Sequence, residues 1–283
     1  MSAIESKIDK TGVQKAAQKV EFSPLMEALT RYGYGVRGLI YIVMGLLAVQ
    51  VTLGKGGALA SPQGAIAEIG KQPAGMILLW VVLVGLISYS LWGVVRAVMD
   101  PLHKGHDTKG LIARAGYLAS AFGYAILVIP TYGYITGASK TANGSQSQSL
   151  ITKIMAMPMG RWAIGILGLV VVIAGFYQIY QGLSAGFERQ FHTYALTPKE
   201  VKLVTGIGRF GTAARGVVLA IVGGLFGVAA YQANPSQQVG MDTALATILH
   251  QPYGVWLLGI VALGLIAFGI YSILCALWLR IRR

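Results

Sequence analysis

The sequence predicts an all-α, polytopic membrane protein: six transmembrane helices arranged as three parallel two-helix repeats with pseudo-threefold symmetry. Three observations carry that expectation. First, 55% of the 283 residues are hydrophobic and only 12% are charged, about half the charge of a soluble domain. Second, six apolar runs approach the roughly 20 residues that one bilayer span requires. They are Val36–Leu53, Ala74–Val95, Ala115–Thr136, Arg161–Gly182, Thr212–Tyr231 and Gly254–Leu279. None alternates polar with apolar residues, as a barrel strand would. Third, two sequence markers recur three times in step.

The first marker reads Arg31-x-Gly33, then Arg37-Gly38; Arg114-x-Gly116, then Ser120; and Arg209-x-Gly211, then Arg215-Gly216. The second reads Gln72-Pro73-Ala74-Gly75, Met157-Pro158-Met159-Gly160 and Gln251-Pro252-Tyr253-Gly254. Arg31 to Arg114 is 83 residues and Pro73 to Pro158 is 85; Arg114 to Arg209 is 95 and Pro158 to Pro252 is 94. Two markers that keep step define an internal repeat of one supersecondary unit. The chain divides into an arm (1–30) and repeats at 31–98, 112–184 and 207–280. Each repeat holds two spans, so all three keep one orientation and are related by an axis along the membrane normal.

Each element has a local reason. Thr197-Pro198-Lys199-Glu200 is a capping box with proline at the first helical position, and Ser23-Pro24 is a weaker form of it. The first helix of repeats 1 and 3 therefore starts before the apolar run. A short segment precedes each Pro-x-Gly marker: Gly64–Ile69, Ser149–Met155 and Asp242–Leu249. In the last two, Leu150, Ile151, Ile154 and Met155, and Leu245, Ile248 and Leu249, fall at helical spacing. Ser149 and Asp242 are candidate caps. Two turns cannot span a bilayer, so these read as lids lying at its surface. The proline ends each lid and the glycine lets the chain turn into the return span. The return spans match at Gly85, Val170 and Gly264, at Ser90, Gly175 and Gly269, and at Trp92, Tyr177 and Tyr271. Small residues at such positions let helices approach closely.

Charge sets the expected orientation. Lys and Arg divide 18 to 5 between the side holding both termini and the opposite side. The Lys/Arg-rich side is cytoplasmic, so both termini are expected in the cytoplasm. Topology, with attraction to anionic lipid, then explains the net charge of +13 without a nucleic-acid partner. The first 20 residues carry Lys7, Lys10, Lys15 and Lys19 and no apolar core, so no cleavable signal peptide is expected. Cys275 excludes an internal disulfide and reads as a packing residue.

The run from Arg31 to Tyr41, with Gly33, Tyr34, Arg37 and Gly38, and the run from Gln251 to Tyr271 resemble an uncharacterised membrane family, domain of unknown function 1206. The resemblance covers about residues 31 to 280 in three copies. It implies a six-helix protein of the bacterial inner (plasma) membrane and no particular activity. The middle repeat departs from the pattern: Ser120 replaces the second arginine, and its loop is longer, with Asn143-Gly-Ser-Gln-Ser-Gln.

Arg37 and Arg215 are the charges that bear on function. Each stands beside a glycine, about one turn inside its apolar run, where a charge costs several kcal/mol toward the bilayer centre. Two readings stand: the side chains snorkel to lipid headgroups, or they face the bundle as a cationic pocket for an anion or headgroup. Tyr41, and Tyr124 at the matching place in repeat 2, could line such a pocket; Leu219 stands there in repeat 3. Arg31, Arg114 and Arg209 complete the candidate lipid or anion contacts. His103 and His106 form an H-x2-H pair with Asp107, short of the three or four ligands a metal needs. No histidine lies inside a span, which argues against haem, and no cofactor or metal is expected. Asp, Glu and Lys are absent from mid-span, where coupled transporters usually carry one. No catalytic set is credible, since its members would have to come from sparse loops. Two functions remain. One is a non-enzymatic scaffold or accessory subunit that packs against other membrane-protein subunits or binds anionic lipid. The other is a small channel or carrier for an anionic or polar solute along the pseudo-threefold axis.

Overall fold

The computed structural model describes residues 24–55, 59, 61–100, 105, 107–138, 151–184, 198–234 and 239–278. Every regular element among them is helical: α1 (Pro24–Thr52), α2 (Pro62–Gly70), α3 (Gly75–Val98), α4 (Thr108–Ile135), α5 (Gly160–Ser184), α6 (Pro198–Gln232), α7 (Met241–Leu249) and α8 (Gly254–Trp278). Residues 151–155 form a further short helical stretch. Six helices (α1, α3, α4, α5, α6 and α8) are long and apolar enough to cross a membrane. The expected fold class holds: this is a multi-pass, all-helical membrane protein.

The helices outrun the apolar runs that announce them. The 29-residue α1 is about 43 Å long and the 35-residue α6 about 52 Å, at 1.5 Å per residue. Both begin at a proline, as expected of a residue whose missing N–H costs nothing in the first turn. The capping partners Ser23 and Thr197 lie outside the described residues, as do Ser149, the lysines of the N-terminal arm, His103, His106 and the polar Asn143 loop. Two other caps are visible. Asp107 accepts from the Gly110 amide at 3.1 Å and opens α4. Ser61 accepts from the Gly64 amide at 3.3 Å and opens α2. Asp242 does not cap α7; Gly240 holds that position and Asp242 sits in the first turn, where a negative charge complements the helix dipole.

The Pro-x-Gly marker works differently from the sequence reading. The residue that turns the chain is the one before the glycine: Ala74, Met159 and Tyr253 have φ of 64°, 64° and 58°, the left-handed region. The glycine is needed for room. A Cβ on Gly75, Gly160 or Gly254 would collide with the carbonyl oxygen of Gly70, Ile154 or Leu249 at the end of the preceding lid. Each return helix thus starts pressed against its lid. The lids bury their apolar faces through Ile66 and Ile69, Ile151, and Leu245 and Ile248.

The packing order is cyclic. The first helix of each repeat packs along the return helix of the repeat before it: α4 on α3, α6 on α5, and α1 on α8, which joins the last repeat to the first. At two of these seams the backbones cross on paired glycines. A Cβ on Gly38 would meet the Gly269 carbonyl oxygen at 2.6 Å, and one on Gly216 would meet that of Gly175 at 2.7 Å. At the third seam the matching residues are Ala121 and Ser90, and the Ser90 hydroxyl donates to the Ala121 carbonyl at 2.9 Å. Within repeats 1 and 3, α1 packs on α3 and α6 on α8; the two helices of the middle repeat, α4 and α5, do not pack along each other. Gly33 and Gly211 seat against the backbones of Tyr89 and Phe268, but Gly116 meets nothing within 4 Å. Val170, standing where repeats 1 and 3 have glycine, is exposed. The ring is open on one side.

Candidate functional site

The first helices carry their arginine and glycine as neighbours, so the two point about 100° apart on the helix. With the glycine buried in a seam, the arginine turns toward the bundle interior. Arg37 lies 15 residues from the lid end of α1 and Arg215 lies 17 from that of α6, about 22 and 26 Å along the helices. Hydrocarbon is about 30 Å thick, so a slab that begins at the lid ends of α1 and α6 would enclose both. Protein partners hold both guanidiniums. Arg37 Nη1 donates to the Tyr89 hydroxyl at 2.5 Å. Arg215 Nε donates to the Tyr41 hydroxyl at 2.7 Å, and its Nη1 to Gln178 Oε1 at 2.5 Å.

One ring joins them. The Arg37 guanidinium carbon lies 4.4 Å from the centroid of Phe268 and that of Arg215 lies 5.1 Å from it. Arg37 also stands over Tyr34 and Tyr89, at 5.6 and 5.3 Å. The aromatic wall continues through Tyr41 edge-on to Phe268 at 4.8 Å and Tyr89 tilted on Tyr124 at 4.5 Å. Each of the six spanning helices thus reaches this chamber: α1 with Tyr34, Arg37 and Tyr41, α3 with Tyr89, α4 with Tyr124, α5 with Gln178, α6 with Arg215 and α8 with Phe268.

A third arginine, Arg96 on α3, extends the chamber toward the end of the bundle where the described chain begins and ends. Its Nη1 donates to the Tyr34 hydroxyl at 3.3 Å, and its guanidinium carbon is 4.6 Å from the Tyr117 ring and 5.8 Å from Trp92. No carboxylate among the described residues lies within ion-pair distance of Arg37, Arg96 or Arg215; the ion pairs there are Arg31 with Glu27 and Lys71 with Glu68. Aromatic faces, tyrosine hydroxyls and the Gln178 amide oxygen are what relieves these charges among the described residues. Cation–π contacts of this kind contribute about 0.5–2 kcal/mol. Against that, guanidinium carbons 4.4 and 5.1 Å from one ring centroid are at most about 9.5 Å apart, and two unit charges at that range repel by about 2 kcal/mol at an effective dielectric of 20, before the cost of dehydration. The chamber therefore carries an uncompensated positive charge among the described residues.

The sequence-based candidates therefore split. Arg37, Arg215, Tyr41 and Tyr124 come together. Arg31, Arg114 and Arg209 stand apart. Arg31 forms a surface pair with Glu27 at 2.6 Å. Arg114 donates to the carbonyls of Ala97 and Val98 at 2.6 and 3.0 Å, and Arg209 to those of Gly182 and Leu183 at 3.1 and 2.6 Å. Those carbonyls are the unpaired last turns of α3 and α5, so these arginines cap the return helix of the preceding repeat. The sequence reading missed Tyr89, Gln178, Phe268 and Arg96 as members of the site. A signal was available: Tyr89, Trp92 and Arg96 follow each other at three and four residues, one helical face, and position 14 after the marker glycine holds Tyr89 in repeat 1 and Phe268 in repeat 3.

Fold and chamber together describe a helical membrane protein built of three repeats around an arginine- and tyrosine-lined interior. A family model described as Domain of Unknown Function (DUF1206) matches residues 32–100, 115–185 and 210–278. The chain belongs to that family. It is 31% identical over 256 residues to an uncharacterized protein, YxxB, of Bacillus subtilis (strain 168), a stretch covering 90% of this chain and 92% of that one. No solved structure matches the chain.

Proposed function

We propose that this protein is a non-enzymatic, anion-binding subunit of the bacterial plasma membrane, with both termini in the cytoplasm. The observation that carries the reading is the pair Arg37 and Arg215, sharing the Phe268 ring with no carboxylate beside them. Charge buried without a countercharge costs far more than a surface pair gains, so the arrangement is best accounted for by a ligand that brings negative charge. A lipid headgroup and a small anion share that chemistry. The accessory-subunit role draws support from α4 and α5, whose Phe122, Ile129, Ile166 and Phe176 leave a wide apolar face for a neighbouring subunit.

The second reading, a channel or carrier for an anionic solute, is favoured by the arginines facing the bundle interior rather than headgroups. One experiment weighs both. Arg37→Gln with Arg215→Gln is compared with the native protein in proteoliposomes, for bound phospholipid and for anion flux. Binding lost without flux in either protein is the expected outcome. Flux in the native protein that the double variant lacks favours the carrier. Equal anion binding in both sinks the proposal.

A further inference from the structure

Four buried side-chain nitrogens among the described residues have no hydrogen-bond acceptor: Arg37 Nε, Arg96 Nε, Arg96 Nη2 and Trp92 Nε1. All four are donors. Three belong to two residues one turn apart on α3, and both are almost fully enclosed: Arg96 is 7% exposed and Trp92 is 3% exposed. Buried N–H groups are nearly always paired, and each one left unpaired is costly. These three stand on one helix face, with no acceptor supplied by the described chain. Around them the box is otherwise complete. Tyr34 accepts from Arg96 Nη1, Tyr117 and Tyr89 cover the guanidinium at 4.6 and 5.6 Å, and Val95 packs beside Trp92.

We propose that Arg96 and Trp92 form a second oxyanion subsite, distinct from the Arg37–Arg215 pair, which takes a phosphoryl group. The chemistry follows from the donor set. An acceptor-only ligand with several oxygens in one small group satisfies a guanidinium edge and an indole N–H together. Phosphate does this, and arginine's planar fork matches its geometry. Position agrees as well. Arg96 lies 21 residues from the lid end of α3, about 31 Å along the helix, and so near one face of the hydrocarbon layer, within reach of phosphate from a headgroup or from solution. Tyr89 stands between the subsites: Arg37 donates to its hydroxyl, and the Arg37 and Arg96 guanidiniums lie 5.3 and 5.6 Å from its ring centroid. A ligand with two linked phosphoryl groups can therefore engage both subsites, a step that rests on the Arg37–Arg215 reading; the Arg96–Trp92 subsite does not depend on it.

The test uses the full chain in dodecyl maltoside, a phosphate-free detergent, with its five tryptophans replaced by 5-fluorotryptophan. The Trp92 fluorine resonance is assigned by its loss in Trp92→Phe. Inorganic phosphate, pyrophosphate and phosphatidylglycerol are titrated separately. The expected result is a saturable shift of the Trp92 resonance that survives Arg37→Gln with Arg215→Gln and is lost in Arg96→Gln. Pyrophosphate should bind about tenfold more tightly than phosphate, the gain of one further charge-assisted contact, and that advantage should vanish in the double variant. A response to phosphatidylglycerol alone identifies the source as a headgroup; a response to the inorganic anions identifies it as solution. Arg96→Lys, which keeps the charge, should retain weakened binding and guards against misfolding of the glutamine variant. A Trp92 resonance that no phosphoryl compound moves, or one that moves equally in Arg96→Gln, overturns the subsite. Pyrophosphate advantage lost in the double variant while the Trp92 shift persists keeps this subsite and locates the other at Arg37 and Arg215.

Discussion

Arginine does two unrelated jobs in this protein, and neighbouring residues decide which. Arg114 and Arg209 follow the end of a return helix and face its last carbonyls. A cation at a helix C-terminus contributes about 0.3–1 kcal/mol, up to about 2 when partly buried. Arg209→Ala should therefore lower stability by about 1 kcal/mol with anion binding intact, as denaturant unfolding in detergent would register. Arg37 and Arg215 should behave oppositely. Replacing a buried ion pair by apolar side chains of similar volume is neutral or stabilising by about 1–4 kcal/mol, and a buried cation with no carboxylate beside it has less attraction to lose. Arg37→Met with Arg215→Met should hold or raise the midpoint of thermal unfolding while abolishing anion binding. A fall of several degrees would mean that the arginines hold the fold together. Tyr89→Phe makes the contrary case. It strips Arg37 of its acceptor and should cost about 1–3 kcal/mol, the penalty for a newly unpaired buried group.

Helix contacts in this bundle are written in glycine, but a given glycine matters only where another helix reaches it. Gly38 and Gly216 sit at seams where a methyl would press on a facing backbone carbonyl, and Gly116 faces open space. Overpacking a tight contact costs about 1–3 kcal/mol. Gly38→Ala and Gly216→Ala should each lose that much in a detergent-unfolding assay; Gly116→Ala should be neutral, or slightly stabilising through helix propensity. Equal losses at all three would mean that α4 is packed in the membrane as its counterparts are. Sequence alone carried a good part of this level. Spans, lids and the step of the two markers were legible, because apolar length and repeated register are local properties. The role of the marker glycine was not, since its constraint comes from a carbonyl five or six residues back and its turn from the residue before it. Arg37 and Arg215 could be singled out by their depth. Phe268 could not, because nothing short of the α8–α1 seam brings it between two arginines 231 residues and 53 residues away. The opening in the middle repeat was half legible: Val170 and Ser120 marked repeat 2 as different without saying that its helices part.

At the scale of the whole molecule, the cyclic order of seams joins the last helix to the first, and the middle repeat interrupts it. Two matched positions, exposed in each repeat, can report that interruption: Leu46, Ile129 and Gly224 on the first helices, and Val84, Leu169 and Leu263 on the return helices. Because they are exposed, a spin label at each should leave the packing undisturbed, and Cys275→Ser removes the native thiol. Double-label distances for Leu46 with Val84 and for Gly224 with Leu263 should agree with each other, since both report repeats whose two helices pack together. The distance for Ile129 with Leu169 should be longer. The difference has a physical source. Val170 carries a side chain where Gly85 and Gly264 have none, and a Cβ at those glycines would fall on Val36 or Ala214 of the paired helix. Val170→Gly should accordingly draw the middle pair together and shorten its distance toward the other two. Three equal distances in the native protein would show a closed ring, with the chamber sealed from the bilayer. A long middle distance that Val170→Gly leaves unchanged would trace the opening to something other than this side chain, the Ser120 and Ala121 substitutions on α4 being next in line.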